Sequence, residues 1–585
     1  MADPVRIANC SGFFGDRISA AREMVEDGPI DVLTGDWLAE LTMLILARTR
    51  AKRPGGGYAR TFVMQMEQVM GACLDKGIKV VSNAGGLDPD GCADAVAEVA
   101  NKLGLSPKIA YVRGDDLLPR MGELVDGRQL LRFDSAEPIT DGSAFLTANA
   151  YLGCWGIVEA LNAGADIVIT GRTTDAAIVC GPAAWHHGWN RDDWSPLAGA
   201  VAAGHVIECG TQATGGNYSF FTEVPGMTRV GFPFAEIAQD GSSVIGKHDG
   251  TGGEVSVGTV TSQLLYEIGG PEYYGPDVTT RFDTIQLSTE GPDRVRMHGI
   301  QGQPPPPTLK VCLNRHGGFR NDMSVCLTGL DIDEKAKLVE EGFWRACPFS
   351  PEDFAYVSTS VVRSERPDPD TNEQAIAILK ISAKDPDEKK VGRAFSNAVI
   401  ELALASIPGF FGVGGGPGAG RPFGVYEPAR IASELVPQEV VLLGGETTEV
   451  SSVIPSADVS VTPTAGPDAA APGGPTKRVP LGKVFGARSG DKGGNANLGI
   501  FARSDEAWAW LDGFLTTEKL QELLPEAADL KVDRYRLPAI RSLNFVVHGL
   551  LQEGVAASTR QDPQAKSFGE WLRARVVDMP EALLP

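Results

Sequence analysis

Five short stretches set carboxylates, arginines or amides beside glycine, each just past an apolar run. They read Asn9-Cys10-Ser11-Gly12-Phe13-Phe14-Gly15-Asp16-Arg17, Thr34-Gly35-Asp36, Ser82-Asn83-Ala84-Gly85-Gly86, Arg113-Gly114-Asp115-Asp116 and Thr170-Gly171-Arg172-Thr173-Thr174-Asp175. Removing a proton next to a carbonyl and cleaving a C–C or C–O bond needs a base, a stabiliser for the enolate and an anion clamp. Asp16, Asp36 and Asp175 are candidate bases or metal ligands, and Arg17, Arg113 and Arg172 are candidate clamps for carboxylate or phosphate. The main chain at Gly12, Gly85 and Gly86 offers candidate oxyanion donors, with Asn9, Ser11 and Asn83 as hydrogen-bonding partners.

Two further clusters follow. Lys247 and the Gly250–Gly253 backbone, with Thr251 and Gly252, are candidate anion contacts. The segment preceding it resembles a phosphate loop, but His248 stands where that loop carries Ser or Thr, and no helix pattern follows. The glycine run at residues 412–420 resembles a dinucleotide fingerprint but follows a helical stretch and leads into Arg421-Pro422-Phe423, so it reads as a spacer or lid. Near the C-terminus, residues 488–497 gather Arg488, Asp491, Lys492 and Asn497 with three glycines. They read as one long binding loop able to close a site, with Asp491 catalytic and Arg488 and Lys492 binding. Asn544 and His548 sit in an apolar run, where polar side chains need partners. HExxH, CxxC, GxSxG and EF-hand patterns are missing, yet a divalent metal held by Asp and Asn stays open.

Positioning these residues falls to alternating strands and helices. Apolar runs at residues 5–8, 30–33, 78–81, 108–112 and 166–170 predict five strands, each followed by helical periodicity. Phe62, Met66, Val69, Met70, Cys73 and Leu74 mark one helix; Asp88, Pro89 and Gly104 punctuate the next. The pattern predicts an α/β fold: a mostly parallel, Rossmann-like sheet with helices on both faces, whose carboxyl edge would gather the five junctions. From about residue 193 to 454 the pattern becomes strand-rich α+β. Residues 455–477 form a Pro/Ala/Gly linker, and residues 478–585 a small α+β unit.

The chain has 585 residues, with 43% hydrophobic and 22% charged, enough to bury large cores. Its net charge of −22 disfavours nucleic acid and anionic membranes as partners. No apolar window is long enough to span a bilayer, and the first residues carry no signal pattern, so a cytoplasmic protein is expected. Nine scattered cysteines read as reduced, buried thiols.

The residues 7–17 segment, Asp31-Val32-Leu33-Thr34-Gly35-Asp36-Trp37-Leu38-Ala39-Glu40, the 171–175 segment, Gly250-Thr251-Gly252-Gly253 and Gln263-Leu264-Leu265-Tyr266-Glu267-Ile268 together resemble the acyclic terpene utilisation (AtuA-like) proteins. Residues 488–494 and 542–549 resemble that family's smaller ferredoxin-fold domain. His248-Asp249 departs from the Pro-Glu usual before the GTGG motif. The resemblance implies a large N-terminal domain over residues 1–454 and a ferredoxin-like domain over 478–585. It also implies catabolism of citronellol- and geraniol-type acids as coenzyme A thioesters, alongside biotin carboxylases and enoyl-CoA hydratases. The expected function is therefore lyase or hydratase chemistry, through an enolate, on a branched acyl-CoA or related carboxylate, such as a 3-hydroxyglutaryl-type thioester. Coenzyme A would enter as part of the substrate. The alternative is a non-catalytic acyl-CoA-binding or assembly partner of a biotin-dependent carboxylase. Self-assembly into a homo-oligomer is also expected.

Overall fold

The computed structural model describes residues 3–53, 55–413 and 418–585; residues 414–417 of the glycine run lie outside the described residues. Five strands, β1 (Val5–Asn9), β2 (Val32–Gly35), β3 (Lys79–Ser82), β4 (Ile109–Arg113) and β5 (Ile167–Thr170), fall on the five apolar runs. They lie parallel in the order β1-β2-β3-β5-β4. Each strand alternates its side chains between two cores, as a period of two requires. Ile7, Val32, Val81, Ala110 and Val168 enter one core, whereas Ala8, Leu33, Val80, Ile109 and Ile167 enter the other.

Helices cover both faces. On one lie α1 (Ala20–Glu26), α3 (Arg60–Lys76) and α4 (Pro89–Leu103), with α2 (Glu40–Arg50) leading in; on the other lie α5 (Trp155–Asn162), α6 (Ala177–His187) and α7 (Trp194–Ile207). The Asp88 side chain caps α4 by accepting from Gly91 N–H at 3.2 Å, with Pro89 in its first turn and Gly104 closing its end. Such a cap is worth about 1 kcal/mol.

The mostly parallel, Rossmann-like sheet is corrected. Antiparallel wings extend the parallel centre: β6 (Pro233–Ile237), β7 (Ser243–Lys247), β8 (Gln286–Gly291) and β9 (Arg294–His298) beyond β1, then β10 (Gln438–Leu442) and β11 (Thr447–Val450) beyond β4. The whole is an eleven-stranded mixed sheet in which antiparallel neighbours outnumber parallel ones. The strands of the wings come from segments that loop back from hundreds of residues away, a pairing that periodicity does not reveal. Ser243–Lys247 is a strand of this wing, so the phosphate-loop look-alike is a turn and a strand.

The C-terminal segment forms a four-stranded antiparallel sheet. Its strands β12 (Gly486–Lys492), β13 (Asn495–Phe501), β14 (Val532–Leu537) and β15 (Ser542–Val547) run in the order β12-β13-β15-β14. The helices α8 (Asp505–Phe514) and α9 (Phe568–Ala574) help bury its Leu498, Ile500 and Phe545, α9 through its own Leu572. The long loop expected at residues 488–497 is corrected: it is the hairpin β12–β13, turning on Gly493-Gly494, with Gly493 at φ +63°. Its polar side chains belong to strand positions facing other protein, which is why they read as solvated loop.

The chain divides into two compact units. The first holds residues 3–314, 426–555 and 562–585, and so contains both sheets above. The second, residues 315–425 with 556–561, is an antiparallel sheet in which residues of Thr308–Thr328 pair with Ile376–Asp385 and these with Tyr356–Val362; the helix Ile332–Ala346 packs on its apolar face. Among the described residues, no helix is long and apolar enough to cross a membrane.

Candidate functional site

The parallel strands deliver their carboxyl ends to one edge, and the junction residues bond to one another there. Asp36 N–H donates to Ser11 O at 2.9 Å. Asn83 donates from Nδ2 to Asp36 Oδ1 at 2.5 Å and accepts Trp37 N–H at 2.8 Å. Arg172 N–H donates to Asp115 Oδ2 at 2.9 Å, and Arg172 Nη1 to Asp175 Oδ1 at 2.8 Å. Asn9 links the edge to Glu208 O at 3.2 Å.

Arg172 is the hub. It is 2% exposed, its guanidinium lies 4.2 Å over the Tyr151 ring, and Nη1 also reaches Leu38 O at 3.4 Å. Tyr151 donates from its hydroxyl to Glu40 Oε1 at 2.6 Å, and Lys310 Nζ meets the same oxygen at 3.3 Å. Arg172 Nε and Glu208 Oε2 are among the polar atoms here buried without a hydrogen-bond partner. Nearly all buried polar atoms in native proteins are paired, so such orphans mark where a ligand or ordered water belongs.

The C-terminal domain completes the cluster within the same chain. Lys492 Nζ donates to Glu267 O at 2.8 Å, and Glu267 N–H donates to Asn497 Oδ1 at 2.8 Å. Lys566 Nζ lies 3.3 Å from Glu267 Oε1 and 3.7 Å from Asp491 Oδ1, and it bonds the Tyr266 hydroxyl. Arg488 stacks 4.3 Å over the Tyr266 ring and bonds Gln212. Asn544 bonds Asn497 and Gly269 O, so it is an interface residue, and His548 pairs with Asp533 at 2.7 Å.

Glu40, Asp175, Lys310, Glu267 and Lys566 retain 31% to 39% of their side-chain exposure, and Lys492 is exposed. Together these side chains form one part-exposed charged cluster. Within it the acids part company. Burial raises Asp36 well above the usual carboxylate range; Asp175 and Glu208 push the same way, against Arg172 and Asn83. Burial, Asp175 and Glu267 likewise raise Glu208. Enclosure would raise Glu40 too, but Lys310, Arg172 and the Tyr151 hydroxyl hold it well below. Enclosure and Glu267 push Asp491 up to about 7 against Lys566. Enclosure and the neighbouring Lys310 lower Lys492. Burial takes His205, 3.2 Å from Glu208, down to about 4, leaving it neutral. The cluster thus sets acids shifted upward, Asp36, Glu208 and Asp491, beside Glu40, shifted downward, among several cations, a division suited to acid–base work.

Of the sequence candidates, Asn9, Ser11, Asp36, Asn83, Arg172, Asp175, Arg488, Asp491 and Lys492 are drawn into this network. The others have different work. Asp16 accepts Gly12 N–H at 3.0 Å and Arg17 N–H at 2.9 Å, folding its own loop and consuming the Gly12 donor. Arg17 is bound to Glu23 and Val230 O. Gly86 N–H is bonded to Asn83 O, and Gly85 packs under Thr170 O. Arg113 pairs with Glu439 at 2.7 Å and, with Gly86, Asp115 and Arg120, lines a cavity of about 430 Å³. Lys247 is held by Asp293 at 3.0 Å and Thr251 O at 2.9 Å, and Gly252 packs on the Gly226 and Arg229 main chain. Among the described residues, no three His, Cys, Asp or Glu side chains are placed to share a metal ion.

Glu40, Tyr151, Glu208, Glu267, Lys310 and Lys566 were not singled out from sequence. Glu40 and Glu267 stood inside the quoted motifs, next to the more conspicuous Asp36 and Tyr266.

The model of the acyclic terpene utilisation family protein AtuA matches residues 5–442, and that of the AtuA ferredoxin-like domain matches residues 479–578. The chain belongs to the AtuA family. Both matched regions supply the cluster: Arg172, Glu40 and Glu267 from the first, Asp491, Lys492 and Lys566 from the second. Comparison with curated proteins and with solved structures returned no match.

Proposed function

We propose that the chain is an enzyme of isoprenoid catabolism that acts on a branched acyl-CoA or related carboxylate through an enolate, with lyase or hydratase chemistry. What carries this reading is the meeting of Arg172, Lys310 and Lys492 with acids shifted in opposite directions in one charged cluster. Family membership supports the isoprenoid setting.

The roles follow from charge. Arg172, fixed by Asp175 and stacked on Tyr151, binds the substrate carboxylate or polarised carbonyl. Cations held rigid in an enclosed site stabilise a developing enolate oxygen better than water does. Asp491, poised at about 7, takes the proton, and Asp36, kept protonated and oriented by Asn83, supplies one to the leaving oxygen or carbon. Lys310, engaged with Glu40 on one side, contributes charge to the clamp.

Incubation of branched acyl-CoA thioesters with the protein in D₂O tests this directly. Deuterium should enter the carbon next to the thioester carbonyl, observed by NMR. Lack of exchange and of turnover across the panel, combined with co-purification of a biotin carboxylase, would favour the assembly-partner alternative.

A further inference from the structure

At the carboxyl edge of the sheet, β3 and β4 leave toward opposite faces. β3 runs into α4, whose Cys92, Ala93 and Val96 enter one core, whereas β4 runs toward Leu117, Met121 and Leu124, which enter the other. In open α/β sheets the crevice between loops that part in this way is where ligands bind. The cavity of about 430 Å³ lies here. It is lined by Leu87 and Pro89 after β3, by Arg113 and Asp116 at the end of β4, and by Pro437 and Glu439 at the start of β10. Its size falls in the range of small-molecule sites.

The polar groups of this cavity are only partly spent. Arg113 donates from Nε to Glu439 Oε2 at 2.7 Å, and among the described residues neither of its Nη nitrogens has a hydrogen-bond partner. Two free Nη groups make a fork for one phosphoryl or carboxylate group. Asp116 accepts Leu118 N–H on Oδ1 at 3.0 Å and, among the described residues, nothing on Oδ2, which leaves an acceptor for a hydroxyl. Leu87, Pro89 and Pro437 give the cavity an apolar wall. Charge sets a limit on the ligand. Asp90, Asp115, Asp116 and Glu439 stand against Arg113 and Arg120, so the lining repels a polyphosphate and admits an anion of low charge. Asp115 also faces the charged cluster, since its Oδ2 accepts Arg172 N–H at 2.9 Å and Asn149 Nδ2 at 2.8 Å.

We propose that this cavity binds a nucleoside monophosphate. Arg113 clamps the phosphoryl group end-on through Nη1 and Nη2, Asp116 accepts a ribose hydroxyl on Oδ2, and the base lies against Leu87, Pro89 and Pro437. The site goes beyond the enolate reading above and does not rest on it.

The probe is adenosine 5′-monophosphate, titrated calorimetrically into the unmodified full chain. About one equivalent should bind. Adenosine, which lacks the phosphate, ribose 5-phosphate, which lacks the base, and ATP, which carries excess charge, should each bind at least about tenfold more weakly. Arg113→Gln should weaken the monophosphate by at least about tenfold and leave adenosine unchanged; Arg113 is half-exposed, and melting curves check that the variant folds. Asp116→Asn keeps an acceptor for Leu118 N–H and should weaken the monophosphate severalfold while leaving its 2′,3′-dideoxy analogue unaffected. Absence of binding at millimolar monophosphate overturns the proposal. So does inorganic phosphate binding as tightly as the nucleotide, or Arg113→Gln matching the parent. Free coenzyme A displacing the monophosphate at equal affinity would assign the cavity to the thioester's own nucleotide end and overturn an independent site. No thioester enters the titration, so its failure leaves the enolate reading standing, and absence of deuterium exchange leaves the nucleotide site standing.

Discussion

Arg172 Nη1 lies 2.8 Å from Asp175 Oδ1, three residues further along the same loop, while the Arg172 main-chain N–H is held by Asp115 Oδ2. One residue is thereby gripped at both ends, main chain and guanidinium, by carboxylates from two strand ends. That fixes the guanidinium in the cluster without leaving it to a flexible tether.

Asp36 is expected to keep its proton at neutral pH, and Asp36→Asn should lower kcat by about 100- to 10,000-fold, the range for losing a general acid. Stability should move the other way. Because the folded-state pKa is raised, the stability this group contributes is complete below the unfolded value of about 4 and is lost as pH climbs through the raised one. Melting temperatures of the parent and Asp36→Asn should therefore diverge in favour of the variant as pH rises above the unfolded value of about 4. Parallel melting curves would contradict the assignment.

Asp491 titrates at about 7, so kcat/KM should rise with pH through that value if it acts as base. Asp491→Asn should remove that limb, leaving a flat residual rate. A profile unchanged in shape by the substitution would transfer the role elsewhere.

Docking of the ferredoxin-like domain onto the 263–268 segment depends on close approach. A Cβ at Gly490 would stand 2.7 Å from Tyr266 Cε2, and a ring already held by Arg488 and Lys566 has little room to yield. Gly490→Ala should destabilise the chain by about 1–3 kcal/mol in denaturant unfolding. It should also lower activity, since Asp491 and Lys492 follow directly.

The five strand–helix junctions were legible because glycine, Asp and Asn after an apolar run have few other uses, and the parallel centre of the sheet follows from them. The antiparallel wings were not, since β6 and β10 pair with β1 and β4 only once the chain has returned from far away. Lys310 and Tyr151 escaped notice for a related reason: both sit in apolar or strand-like runs, where Tyr and Lys usually cover a surface. Around Arg488, Asp491 and Lys492 the sequence reads as a loop, because a strand that sets polar side chains against a second domain has a solvated loop's composition. Lys247, Arg17 and Arg113 show the converse, basic residues whose partners, Asp293, Glu23 and Glu439, no local pattern disclosed.

Calorimetric titration of a branched 3-hydroxyglutaryl-type CoA thioester into the parent chain and into Arg172→Lys tests the central claim most directly. The substitution keeps the charge but removes the planar fork that holds Asp175 and stacks on Tyr151. Binding to the parent with at least about tenfold weaker binding to the variant, a difference of about 1.4 kcal/mol, is the predicted result. Equal affinity for the two proteins, with both folded, would mean that the charged cluster is not where the anionic substrate binds.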